Sequence, residues 1–196
     1  MIFIGSSGYD DHRPQAKVRP RRPPETPALP SQDLPDTLCP IARSTSRVGD
    51  KWSLLIIREL FMGVSRFQDL LAQTGATPQL LTARLKQLQA DGLIERRAYS
   101  ERPLRFEYRL TAMGLDLMPI ILAFRAWGET WCKTPEEGVA VRMFHNSCRT
   151  ELELDGRCPT CGVTVPWTET HGLPNPAYLE ERMQRAAAAA RSVSEP

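Results

Sequence analysis

Residues 77–110 read TPQLLTARLKQLQADGLIERRAYSERPLRFEYRL, and the change of period inside this stretch decides the fold. Thr77 ahead of Pro78 is an N-cap with proline at the first helical position, where its missing N–H costs nothing. Leu81, Leu85 and Leu88 recur at helical spacing, so they form the buried stripe of a helix that runs to about Asp91. The opposite face shows Gln79, Thr82, Ala83, Lys86 and Gln87. After Leu93 and Ile94 the period drops to two. Leu104, Phe106, Tyr108 and Leu110 alternate with Arg105, Glu107 and Arg109, as in a strand with one buried face. Ser100–Pro103 is the expected turn of a charged β-hairpin.

Upstream, Trp52, Leu55, Ile56, Glu59 and Leu60 fall on one helical face, and Gly63 ends that helix. Ser65 and Gln68 read as a capping box for a second helix, with Phe67, Leu70 and Leu71 as its stripe and Gly75 as its stop. Two short helices joined by a tight turn have helix-turn-helix geometry. Helix pattern alone fits an ordinary three-helix core with a solvated face equally well, and the hairpin that follows favours a winged helix. The expected fold is mainly α with a small β-hairpin wing, an α+β winged helix-turn-helix. Gln79 suits an adenine edge, Thr82 and Ala83 a thymine methyl, and Arg84 and Lys86 guanine or phosphate. Gln87 joins them on the exposed face. Arg66, Arg96, Arg97, Arg102 and Arg105 would reach the backbone or the minor groove. Solubility is the competing reading of the hairpin arginines.

Residues 39–131 resemble the HxlR-type winged-helix transcriptional regulators, a branch near the MarR-type repressors. The matching segments are Cys39-Pro40-Ile41-Ala42, Val48-Gly49-Asp50-Lys51-Trp52, Leu55 through Leu60, Gly63 through Phe67, Leu85 through Leu88, Asp91 through Arg96, Pro103, Glu107-Tyr108 and Leu110-Thr111. The resemblance implies a homodimeric, DNA-binding repressor or activator in a bacterium, tuned by electrophiles, oxidants or small ligands. It also implies a sensing role for Cys39, where redox-responsive relatives place a thiol. A packed, inert Cys39 is the alternative. The chain departs from the family at Gln79, where a basic residue is usual, and at Ala83, where a polar one is usual.

Thr111 reads as the N-cap of a further helix, and Pro119 should bend or interrupt its first turns. From Leu115 to Trp131 this segment is apolar on most sides, more than one core consumes. Ile121, Phe124, Trp127 and Trp131 are therefore expected at an isologous dimer interface, helped by the segment around Leu38–Val48.

The chain has 196 residues, 17 Pro, five Cys and a net charge of +2. No apolar run is long enough for a membrane span, and Met1–Tyr9 lacks the basic start and long apolar run of a secretory signal. An odd, modest cysteine count argues against a disulfide scaffold and for a reducing compartment with thiol or metal chemistry. A cytoplasmic protein is the resulting expectation, and the HxlR resemblance implies a bacterial, nucleoid-associated one. Residues 1–36 hold seven of the prolines and read as a disordered tail, whose basic cluster Lys17, Arg19, Arg21 and Arg22 is either solvated or a DNA arm. Residues 37–131, the winged-helix and dimerisation domain, carry 13 Lys and Arg against nine Asp and Glu. The positive charge is thus concentrated where nucleic acid would bind.

His145-x2-Cys148 and Cys158-x2-Cys161 are two pairs at the spacing that lets one turn present two donors, and four N/S donors suit tetrahedral zinc. Residues 140–168 are therefore expected to form a zinc-ribbon-like hairpin with Thr150–Leu154 as a strand and Asp155-Gly156 as its turn. Zinc would be structural, because four filled positions leave none for water. An apo hairpin with free or paired thiols is the alternative. The usual Gly after the first Cys is Arg149 here, and His171 is a spare ligand. Residues 172–196 read as a C-terminal helix, with the Ala186–Ala190 run at its centre, followed by a tail.

The leading expectation is a DNA-binding regulator, most simply a repressor reading a pseudo-palindromic operator in double-stranded DNA. A winged-helix interaction module without DNA affinity is the second. A thiol or zinc enzyme is the third, and no general base is evident beside Cys158-x2-Cys161 to support it.

Overall fold

The computed structural model describes residues 36–194. The expected Pro-rich tail lies almost wholly outside them. Four helices open the fold: α1 (Pro40–Val48), α2 (Lys51–Phe61), α3 (Phe67–Thr74) and α4 (Pro78–Ala90). The hairpin β1 (Ile94–Glu101) and β2 (Leu104–Leu110) follows, then α5 (Ala112–Leu115) and α6 (Met118–Trp131). A second antiparallel pair, β3 (Val141–His145) and β4 (Thr170–Pro174), leads into α7 (Pro176–Ser194).

Helix starts obey local chemistry. The Asp50 carboxylate accepts the amides of Trp52 and Ser53, and the Thr77 hydroxyl accepts that of Leu80. Thr111 caps α5 by accepting from Gly114. Pro119 sits in the first turn of α6, and the break at 116–117 splits the apolar segment in two. Gly114 has a separate constraint: a Cβ there would come within 2.1 Å of the Leu93 carbonyl oxygen. Only glycine lets α5 pack so closely against the start of the wing.

The capping box at Ser65 does not form. The N-cap of α3 is Arg66, without a side-chain bond. Ser65 instead continues in extended backbone and accepts the Tyr108 amide at 2.8 Å, while Arg66 bridges Glu107. This short third strand ties the helix-turn-helix to the wing and takes precedence over the cap. In α2 the fully buried positions are Ile56, Ile57, Phe61, Ser53 and Glu59, so the stripe is rotated from the one through Leu55 and Leu60. The wing turn is also tighter than expected, since β1 continues through Ser100 and Glu101.

The core runs through Ile56, Ile57, Leu70, Leu81, Leu85 and Leu88, all 2% exposed or less. It continues into the ribbon through Met143, Leu152, Cys158 and Val165. Phe61 of α2 meets Trp167 edge-on at 5.9 Å, and Arg125 of α6 donates to the carbonyls of Leu154 and Val141. The ribbon therefore packs against the winged helix as part of one core. Thr150–Leu154 is not a strand. Only the bridge from Phe144 to Glu151 forms there, because the chain must turn early to bring Cys158 beside Cys148. The true partner of β3 is β4, beyond residue 168.

Candidate nucleic-acid interface and metal centre

On α4, Gln79, Thr82, Ala83, Lys86 and Gln87 are all exposed, opposite the buried leucines. A cleft of about 700 Å³ separates this helix and α3 from the wing. Arg66, Thr82, Lys86, Arg96 and Arg105 all line it, so five of the expected DNA-contacting residues share one concave surface. The register of the hairpin shifts between Ala98 and Ser100, which makes Tyr99 an extra, bulged residue. Tyr99 lines the same cleft, and the Arg66 guanidinium lies 4.7 Å from its ring centre. Arg96 lies 3.4 Å from the Phe106 ring centre. These stacks hold two flexible cations in fixed positions while leaving their donors to phosphate.

Other expected contacts lie elsewhere. Arg97 pairs with Glu95 at 2.7 Å, and Arg102 is exposed at the wing tip. Gln87 donates to buried Asp91 at 3.0 Å, and Asp91 also accepts Arg47 of α1. Arg84 faces Asp50 at 3.4 Å. Burial works against the charge on Asp50, but the Ser53 hydroxyl and amide, with Arg84, outweigh it and hold the carboxyl below its ordinary range. Arg84 thus joins the recognition helix to the start of α2. The roles of Tyr99, Asp91 and Asp50 were not apparent from pattern, because none lies on a periodic stripe.

The outer face of α6 carries Phe124, Trp127 and Trp131 at 57%, 59% and 73% exposure. Ile121, expected beside them, is half-buried and faces the interior, and Ile120 occupies the outer stripe instead. Leu38 and Ile41 at the start of α1 are exposed as well. Cys39 is the exposed N-cap of α1. Arg43, one turn into α1, donates to the Thr37 carbonyl.

His145, Cys148, Cys158 and Cys161 place one donor atom each within 4.8 Å of all the others. Cys148 Sγ lies 3.3 Å from His145 Nδ1 and 3.5 Å from Cys158 Sγ, and Cys161 Sγ lies 3.5 Å from Nδ1. A zinc tetrahedron has edges of about 3.5–3.8 Å, so the donor set fits that ion. Two matching turns build it. In the first, the His145 amide donates to Thr150 and the Arg149 amide donates back to His145. In the second, Cys158 donates to Val163 and Gly162 donates back to Cys158. Each turn needs one left-handed residue: Gly162 at φ 70° and Arg149 at φ 60°. Arg149 therefore adopts the glycine conformation despite its side chain. Cys148 is lowered to about 6, first by the Thr150 hydroxyl and amide and then by Cys158 and Cys161. The Cys161 thiol is pushed up to about 11 by hydrogen bonding to Cys148 and then Cys158. Glu169 approaches the far nitrogen of His145 at 3.8 Å. His171 stands apart, stacked on Phe144 and bonded to Asn146.

The model of the HxlR-like helix-turn-helix family matches residues 47–136. The HTH-type transcriptional regulator Rv3095 of Mycobacterium tuberculosis, itself uncharacterized, is 35% identical over 138 residues, which cover 70% of this chain and 87% of that one. The chain belongs to the HxlR-like family. A second relative, the uncharacterized regulator sll1512 of Synechocystis, is 42% identical over 95 residues, 48% of this chain and 70% of its own. Among solved structures, the transcription-factor candidate PA1607 superposes with a TM-score of 0.56 at 31% identity, over 69% of this chain and 94% of that one. The relatives of this HxlR-like chain are named as transcriptional regulators, and its winged-helix fold is that of a DNA-binding regulator. Among the described residues, no helix is long and apolar enough to cross a membrane.

Proposed function

We propose that this HxlR-like protein is a homodimeric repressor that reads a pseudo-palindromic operator in double-stranded DNA. The observation that carries this reading is the shared cleft: the exposed face of α4 and the cations Arg66, Lys86, Arg96 and Arg105 meet in one concavity. The α4 face enters a major groove, where Gln79, Thr82 and Ala83 read base edges. The arginines and Lys86 hold phosphate and set register. Two copies joined through Phe124, Trp127 and Trp131 present two such helices to half-sites separated by whole turns of the duplex.

Zinc on His145, Cys148, Cys158 and Cys161 holds the ribbon closed and has no open position for a substrate. The metal is structural, and folding of the ribbon is linked to its binding. Release from DNA follows a small ligand or oxidation of Cys39. A cytoplasmic, nucleoid-bound location follows from the DNA-binding role.

The deciding experiment is a mobility shift and footprint on the DNA upstream of the protein's own gene. A protected palindrome whose affinity falls steeply with salt is expected. No footprint there or anywhere in a genome-wide binding experiment would overturn the proposal in favour of an interaction module.

A further inference from the structure

Between α2, α6 and the ribbon lies a cavity of about 600 Å³, within the size range of small-molecule sites. Leu54 and Leu55 of α2, Ile121 of α6, Val141 of β3 and Trp167 of the ribbon give it apolar walls. Four cationic side chains line it, Lys51, Arg58, Arg125 and Lys133, against a single carboxylate, Glu129.

That imbalance is relieved only in part. Glu129 serves Lys133 at 3.0 Å and the Ala140 amide at 2.9 Å. Arg125 spends its two terminal nitrogens on neutral carbonyls. Arg58 and Arg182 share one carboxylate, Glu59, so two guanidiniums meet one negative charge. The Arg58 side chain lines the cavity and is 31% exposed, so its guanidinium is not closed off by its contact with Glu59. A guanidinium beside apolar walls pairs strongly with an incoming acid group.

We propose that this cavity binds an amphipathic organic anion, a compact aromatic or aliphatic body with one acid group, and that the acid group accepts from Arg58. The apolar walls take the body, and the excess positive charge selects an anion over a neutral molecule. Ala140, Val141, Met143, Trp167 and Tyr178 all lie beyond the residues that match the family. The appended ribbon and α7 thus complete the site, and a bound anion bridges them to α2 of the helix-turn-helix. The consequence for DNA rests on the regulator reading above, whereas the binding itself does not.

The test uses the full chain and two fluorescent probes, anilinonaphthalene sulfonate and its uncharged analogue N-phenylnaphthylamine. The sulfonate should saturate at one site per chain, with energy transfer from Trp167. Arg58→Gln should weaken the sulfonate about 10-fold or more and the neutral probe less than about twofold, the signature of a lost charge-assisted hydrogen bond. Leu54→Trp, which fills the cavity, should abolish both signals. Equal weakening of the two probes by Arg58→Gln, or of neither, overturns the proposal. So does a signal removed by Trp127→Glu, which would place the probes on the outer stripe of α6. Loss of binding as protein concentration rises would assign the cavity to a second copy of the chain. In a separate arm, the sulfonate should shift operator affinity in the wild type and not in Arg58→Gln. Failure of that arm alone removes the regulatory consequence and leaves the anion site standing.

Discussion

Glu59 of α2 and Arg182 of α7 form a two-point ion pair, with Nη2 to Oε2 at 2.6 Å and Nη1 to Oε1 at 3.0 Å. Glu59 is fully buried in the helix-turn-helix, and Arg182 arrives from 123 residues later in the chain. Bonding to Glu59 raises the pKa of Arg182 above that of an ordinary guanidinium. Around it, Gln73 of α3 donates to the Arg182 carbonyl and Arg185 donates to the Gln73 carbonyl. The C-terminal helix is thereby latched onto the first helix of the DNA-binding motif. Removing one partner of such a pair leaves a buried charge uncompensated.

Arg182→Met should therefore destabilise the protein by about 3 kcal/mol, the lower end of the cost for a buried pair, because Arg58 still contacts Glu59. Adding Glu59→Leu should recover part of that loss. Urea denaturation of the two single variants and the double variant measures the coupling. Additive losses would show that the latch contributes nothing.

Protein purified reduced and without chelator should carry one zinc per chain, read by metal analysis. Cys158→Ser removes the fully buried ligand and should release the metal together with the near-ultraviolet signal of Trp167. Glu169 lies 3.8 Å from the outer nitrogen of His145, while Nδ1 faces the Cys148 and Cys161 thiols. Glu169→Gln should lower zinc affinity by about 10-fold without unfolding the winged helix.

Lys86→Ala should weaken operator binding on every sequence alike and reduce the salt slope by about 1. Gln79→Ala should instead relax specificity at one base pair, at a cost of about 1–3 kcal/mol for the preferred base. Competition shifts at several salt concentrations separate the two. A Gln79 variant that behaved like the Lys86 variant would remove α4 from the major groove.

Trp127→Glu places a charge in the middle of the exposed stripe of α6. Sedimentation should show a dimer for the wild type at micromolar concentration and a monomer for the variant. A wild-type monomer would exclude the two-helix reading of the operator.

Asp50→Ala removes the cap of α2 and the partner of Arg84, and should cost about 1 kcal/mol. The folded carboxyl titrates below its ordinary value of 3.8. Its contribution is thus fully present above that pH and is lost as pH falls through the folded value. Thermal melts of Asp50→Asn should show a shallower loss of stability on the acid side than the wild type.

Much of this fold is legible within a few residues of any position. Thr77-Pro78 starts α4, Thr111 starts α5, and Leu81, Leu85 and Leu88 turn one face inward, because caps and helical period depend on neighbours within about a turn. The four metal donors are legible for the same reason, since an x2 spacing and one left-handed residue build each turn locally. The failures of pattern lie where distant chain competes. Ser65 is drawn against the wing, its carbonyl accepting the Tyr108 amide, and Thr150–Leu154 keeps only the Phe144–Glu151 bridge, on the edge of β3 away from β4. The partner of Glu59, the bulge at Tyr99 and the charged cavity beside Arg58 have no local signature at all. Sequence by itself determined which segments are helix, hairpin and metal turn, because those choices are made by short-range sterics and hydrogen bonding. Only the tertiary structure decided which charges meet, because a buried carboxylate takes its partner from whichever element the folded core brings beside it.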